Sequence, residues 1–148
     1  MKLSTHFSLS ELTKSETAIR KGIENEPNEE ALANLIILCR SILEPVREHY
    51  DVPFVPNSGY RSPELNRAIG CSDKSQHVKG EAVDFEIPGI DNKDVARWIM
   101  DNCQFDQLIL EFYKEGEPSS GWVHCSYTLD GPNRNSARIF DGKNWTDL

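Results

Sequence analysis

Three residues of this chain have the types and spacing of a metal site: His77 and Asp84 in Ser75-Gln76-His77-Val78-Lys79-Gly80-Glu81-Ala82-Val83-Asp84-Phe85, and His124 in Gly121-Trp122-Val123-His124. Two imidazoles and one carboxylate are a common ligand set for a catalytic zinc, which leaves its fourth position to water. Converged on one point, such a set supports hydrolytic chemistry. Singly, each has an ordinary explanation, because a strand histidine is usually a surface or satisfied residue and an aspartate beside Val83 and Phe85 can simply cap or pair.

The elements that must position these residues are legible from periodicity. Residues 82–87 read as a strand after the break at Gly80, ended by Pro88-Gly89. Alternation puts Val83, Phe85 and Ile87 on one face and Ala82, Asp84 and Glu86 on the other. In residues 122–127, Val123, Cys125 and Tyr127 share a face opposite Trp122, His124 and Ser126. If both apolar faces pack on helices, Asp84 and His124 emerge on the same open face. A turn at Gly80 can then return His77 over Asp84.

Elsewhere, Ser8-Leu9-Ser10-Glu11 has the form of a capping box and predicts a short helix. A long helix is predicted from residue 27 or 28 to about 50, with Leu32, Leu35, Ile36, Cys39, Ile42, Leu43 and Val46 as its apolar stripe and a kink or break at Pro45. Residues 52–56 read as extended and edge-like. A helix should start at Ser62-Pro63, and another spans residues 91–103 with Val95, Trp98 and Ile99 on one face. Strands are predicted near 106–112 and 122–127, with a last short one near 138–140. This order predicts an α+β fold: a small antiparallel sheet, helices packed on one face, and the zinc site on the open face.

Composition excludes some classes of partner. With 148 residues the chain is expected to form one domain, residues 1–148. Twenty-four acidic against 16 basic residues give a formal net charge of −8, which argues against nucleic acid, whose phosphates need a basic patch. The run Leu35-Ile36-Ile37-Leu38-Cys39 is too short to span a bilayer, so no membrane insertion is expected. The amino terminus lacks the apolar stretch of a secretory signal, which predicts synthesis in the cytoplasm. Cys39, Cys71, Cys103 and Cys125 form no CxxC pair and are expected to be free thiols. A monomer is the default expectation.

Taken together, Ser58-Gly59-Tyr60-Arg61-Ser62-Pro63-Glu64-Leu65-Asn66, the His77–Asp84 segment and Gly121-Trp122-Val123-His124 resemble the zinc D-Ala-D-Ala metallopeptidase family. That family includes D-Ala-D-Ala carboxypeptidases, D-Ala-D-Ala dipeptidases and phage L-alanyl-D-glutamate endopeptidases. The resemblance extends to His6-Phe7-Ser8-Leu9-Ser10-Glu11-Leu12 and covers residues 5 to 128; it is nearest to the compact carboxypeptidase-like branch of phages and prophages. It implies one zinc ion held by His77, Asp84 and His124, and a peptidoglycan stem peptide as substrate. It also implies action on the cell wall after phage-type release or virion delivery. Arg61 matches the family arginine that contacts substrate or a developing oxyanion, a task suited to a permanently charged planar fork. Ser75 is expected near the substrate and Trp122 as a wall of the cleft.

The chain departs from several relatives that place a glutamate three residues before the last histidine, because Gly121 stands there. Glu111 is the first candidate for the general base, since antiparallel pairing of its strand with residues 122–127 would bring it near the site; Glu86 is the second and Glu81 the third. The missing glutamate also supports an alternative: a non-catalytic zinc-binding virion or cell-wall-binding protein of the same fold.

Overall fold

The computed structural model describes residues 1–148. Six α-helices, α1 (Leu9–Thr13), α2 (Glu16–Lys21), α3 (Glu29–Leu38), α4 (Glu44–Tyr50), α5 (Pro63–Ala68) and α6 (Asn92–Asn102), accompany five strands, β1 (Ala82–Phe85), β2 (Gln107–Glu111), β3 (Trp122–Ser126), β4 (Ser136–Phe140) and β5 (Trp145–Asp147). The fold is α+β, and the sheet order is β1-β3-β2-β4-β5.

Local chemistry accounts for most helix ends. The capping box at Ser8 forms, with Glu11 reaching back to the Ser8 backbone N–H. Asn28 caps α3 through the Ala31 N–H, and Ser62 caps α5 with Pro63 at its first position. Pro45 does not break the long helix. One π-helical turn, Cys39–Leu43, joins α3 to α4, and the Glu44 N–H bonds the Cys39 carbonyl five residues back. This single widened turn accommodates the proline's missing N–H and its ring, so the apolar stripe runs on to Val46.

Strand alternation divides the sheet into two faces. Val83, Phe85, Leu108, Leu110, Val123 and Cys125 are fully buried and meet Val95, Ala96 and Ile99 of α6 and the α3–α4 helix within one core. Asp84, Ile109, Glu111, Trp122 and His124 lie half-buried on the opposite face. No helix is long and apolar enough to cross a membrane.

Three strand pairs are antiparallel, but β2 and β4 run parallel. The cause is the connection through residues 127–135, which carries the chain past the end of β2 to its far edge. A strand that reverses direction after β3 and lands beyond β2 must run parallel to β2. Arg134 anchors this connection on Asp106, just before β2, with Nε and Nη2 each donating to a carboxylate oxygen at 2.8 Å. Residues 52–56 join no strand. Only Ser58 bridges to the sheet, opposite Asp84.

Candidate metal centre

The site is assembled from three pieces of backbone held side by side. Asp84 and His124 are direct cross-strand partners in β1 and β3, and Ile109 of β2 is the next residue in the same row. On the outer side of β1, the Asn57 N–H donates to the Asp84 carbonyl at 2.8 Å, and the Asp84 N–H donates to Ser58 at 2.8 Å. This pairing aligns Ser58-Gly59-Tyr60-Arg61 with the short 3₁₀ turn Gln76–Lys79, where Arg61 N–H bonds the His77 carbonyl at 3.1 Å. Gly80 ends that turn with φ +74°, and an added Cβ would lie 2.4 Å from the Ala31 carbonyl oxygen. The turn expected at this glycine is left-handed, and it swings His77 back over β1.

The side chains converge. One ligand atom from each of His77, Asp84 and His124 lies within 4.8 Å of the others. His77 Nε2 is 3.3 Å from Asp84 Oδ2, and His124 Nδ1 is 2.8 Å from Asp84 Oδ1. Zinc–nitrogen and zinc–oxygen bonds are about 2 Å long, so donor atoms ~3 Å apart suit one shared ion. His77 Nδ1 donates to the Gly59 carbonyl at 2.8 Å, which fixes the tautomer and leaves Nε2 as the free lone pair facing Asp84. Burial alone would push the Asp84 carboxyl up. The imidazoles of His124 and His77 beside it outweigh burial and hold the group well below the usual carboxylate range. An anionic oxygen and a tautomer-fixed imidazole are the protonation states a cation needs, and on this donor chemistry the trio fits a zinc ion.

Glu111 lies in the neighbouring row of the same face. It pairs with Trp122, two residues before His124, and the Trp122 Nε1–H donates to Glu111 Oε2 at 2.9 Å. Burial raises the Glu111 carboxyl above its ordinary value; His124 opposes the rise and Asp84 adds to it, which places the group in the field of the trio. Gly121 explains the departure at the position where relatives carry glutamate. Its φ is +63°, and a Cβ there would sit 1.9 Å from the Glu111 carbonyl oxygen, so no side chain fits.

The other expected residues are placed as follows. Arg61 borders a cleft of about 450 Å³ with Ser58 and Asn57; its Nη1 donates to Cys71 Sγ at 3.6 Å, and its buried Nε has no partner. Ser75 Oγ accepts the His77 N–H at 3.3 Å, capping the 3₁₀ turn. Trp122 packs against Phe112 in a tilted pair, ring centroids 5.3 Å apart. Glu86 is held by the amides of Asn92 and Asn57, and Glu81 is buried. Cys125 is buried on the core face, away from the trio. Two further residues support the site. Gln76 Nε2 donates to Asp106 Oδ2 at 3.0 Å, and the Gly59 carbonyl orients His77. Their only sequence signal is membership of the quoted motifs.

The model of the Peptidase M15 family matches residues 5–126, and the chain belongs to that family. No curated protein matches the chain.

Proposed function

We propose that this chain is a zinc-dependent peptidase hydrolysing peptidoglycan stem peptides, of the D-Ala-D-Ala carboxypeptidase type. Residues 1–148 act as one domain and a monomer. The observation that carries the reading is the convergence of His77, Asp84 and His124 on an open sheet face, with Glu111 one row from His124.

His77, Asp84 and His124 would hold a zinc ion, which would supply Lewis-acid polarisation of the scissile carbonyl and acidification of the attacking water. The chain's own residues do the rest. Glu111 takes a proton from the attacking water and returns it to the leaving amine. Burial lifts its carboxyl toward the working range of a base near neutral pH. The Trp122 indole holds Oε2, leaving Oε1 for the proton. Arg61, whose guanidinium lines the adjoining cleft, balances charge on the carbonyl oxygen or holds a terminal carboxylate. Gly59 keeps His77 in one tautomer throughout.

The absence of a glutamate at position 121 favoured a non-catalytic zinc-binding protein. Glu111, level with Trp122, supplies a carboxylate from the adjacent strand and supports the catalytic reading instead. The deciding experiment is mass spectrometry of purified peptidoglycan incubated with zinc-loaded protein, alongside a chelator-treated control. Chelator-sensitive release of D-Ala is the expected result. Stem peptides cut after L-Ala would replace carboxypeptidase with endopeptidase action, and an unaltered digest with zinc bound would overturn the enzyme reading.

A further inference from the structure

Glu86 lies one residue beyond the last β1–β3 pair, Phe85–Val123, which puts it level with Trp122 and on the side of the chain that carries Asp84. There it borders an open cleft of about 610 Å³, walled by Phe54, Val55, Ile87 and Pro118. Its carboxylate is oriented rather than loose. Asn92 Nδ2 meets Oε1 at 3.2 Å, and Asn57 Nδ2 meets Oε2 at 3.4 Å. Asn92 is itself buried, with Nδ2 within 3.1 Å and 3.2 Å of the Ser120 and Gly121 carbonyls.

Despite this placement, Glu86 has no cationic partner; the ion pairs of the chain are made by other residues. Asp106, by contrast, is paired with Arg134. An ionised carboxylate has about four lone-pair sites, and two amide donors leave some of them directed at the cleft. The adjoining cleft that ends at Arg61 shares Val55 and Asn57 with this one. Asn57, whose N–H bonds the Asp84 carbonyl, thus lines both clefts, with the Arg61 guanidinium on one and the Glu86 carboxylate on the other.

We propose, resting on the peptidase reading above, that the Glu86 cleft is a substrate subsite and that Glu86 receives a primary ammonium group of the peptide. The apolar walls take a methylene stem, and the carboxylate takes the charged tip. The ammonium is either the side chain of a diamino acid or the free amino terminus. Glu86 is therefore a specificity residue, distinct from the base.

The test uses the zinc-loaded full chain and three forms of one synthetic stem peptide: both amines free, only the diamino acid side chain acetylated, or only the amino terminus acetylated. Dissociation constants are measured by calorimetry, and kcat/KM in parallel. Acetylating one of the two amines should weaken binding about tenfold, the scale of a hydrogen bond to a charged group, and the sensitive amine names the source. In Glu86→Gln the three peptides should bind within about twofold of one another, and Glu86→Lys should favour the acetylated form. Equal affinities in the parent chain, or discrimination that survives Glu86→Gln, would overturn the proposal. Discrimination in binding with no cleavage would sink the peptidase reading and leave the subsite standing; cleavage with no discrimination would do the reverse.

Discussion

The indole N–H of Trp122 donates a 2.9 Å hydrogen bond to the carboxylate of Glu111, its direct partner across β2 and β3. One side of the pair is aromatic packing against Phe112; the other is the base candidate. Trp122→Phe keeps the packing and releases Oε2. A hydrogen bond to a charged group contributes about 1.5–3 kcal/mol, so kcat should fall about tenfold or more with metal content unchanged. Steady-state kinetics beside metal analysis checks this. Undiminished turnover would mean the indole does not position Glu111.

Glu111→Gln should retain zinc and the fold yet lose about 10²-fold or more in kcat, the usual worth of general acid–base catalysis. Single-turnover kinetics on a stem peptide reads the loss. If the rate holds, the base lies elsewhere.

Zinc at a hundredfold excess over its dissociation constant should stabilise the protein by about 2.7 kcal/mol, visible as a raised Tm that chelator reverses. His77→Ala should abolish the shift because it removes the nitrogen whose tautomer Gly59 fixes. A zinc-dependent shift persisting in that variant would reassign the ligand.

Gly121→Ala should destabilise the chain by roughly 2 kcal/mol or more, because φ is +63° and the new Cβ would meet the Glu111 carbonyl oxygen. Denaturant titration measures the cost. A neutral result would show that the β2–β3 end can relax, and that a glutamate could be accommodated there after all.

Asp106 links pH to stability. Hydrogen bonds from Arg134, joined by Gln76, hold its carboxyl down to about 2 against the effect of burial. Its folded value lies below the ordinary carboxylate value of about 4. Its contribution is therefore fully present above pH ~4 and is lost as pH falls through about 2. Asp106→Asn should lower stability at pH 7 by about 2 kcal/mol and flatten the acid limb of a Tm-against-pH curve. An acid limb as steep as the parent's would place the pH dependence on other carboxylates, such as Glu44.

The faces of β1 and β3 and most helix starts were legible in the sequence, whereas α2 and β5 were not. Alternation within residues 82–87 and 122–127 already separated Val83, Phe85, Val123 and Cys125 from Asp84 and His124, because a strand's side-chain period is two and needs no partner to define it. The capping box at Ser8 and the Ser62-Pro63 helix start were equally local. What only tertiary structure decided came from contacts between residues far apart in the chain. The register that sets Asp84 opposite His124 and Glu111 opposite Trp122 is one such choice, and the parallel β2–β4 pair is another. The Gln76–Asp106–Arg134 link and the Gly59 carbonyl on His77 likewise join separate segments. Gly121 shows the boundary most clearly: its sequence records only a missing glutamate, whereas the fold supplies the reason, a carbonyl oxygen of the neighbouring strand where a side chain would begin.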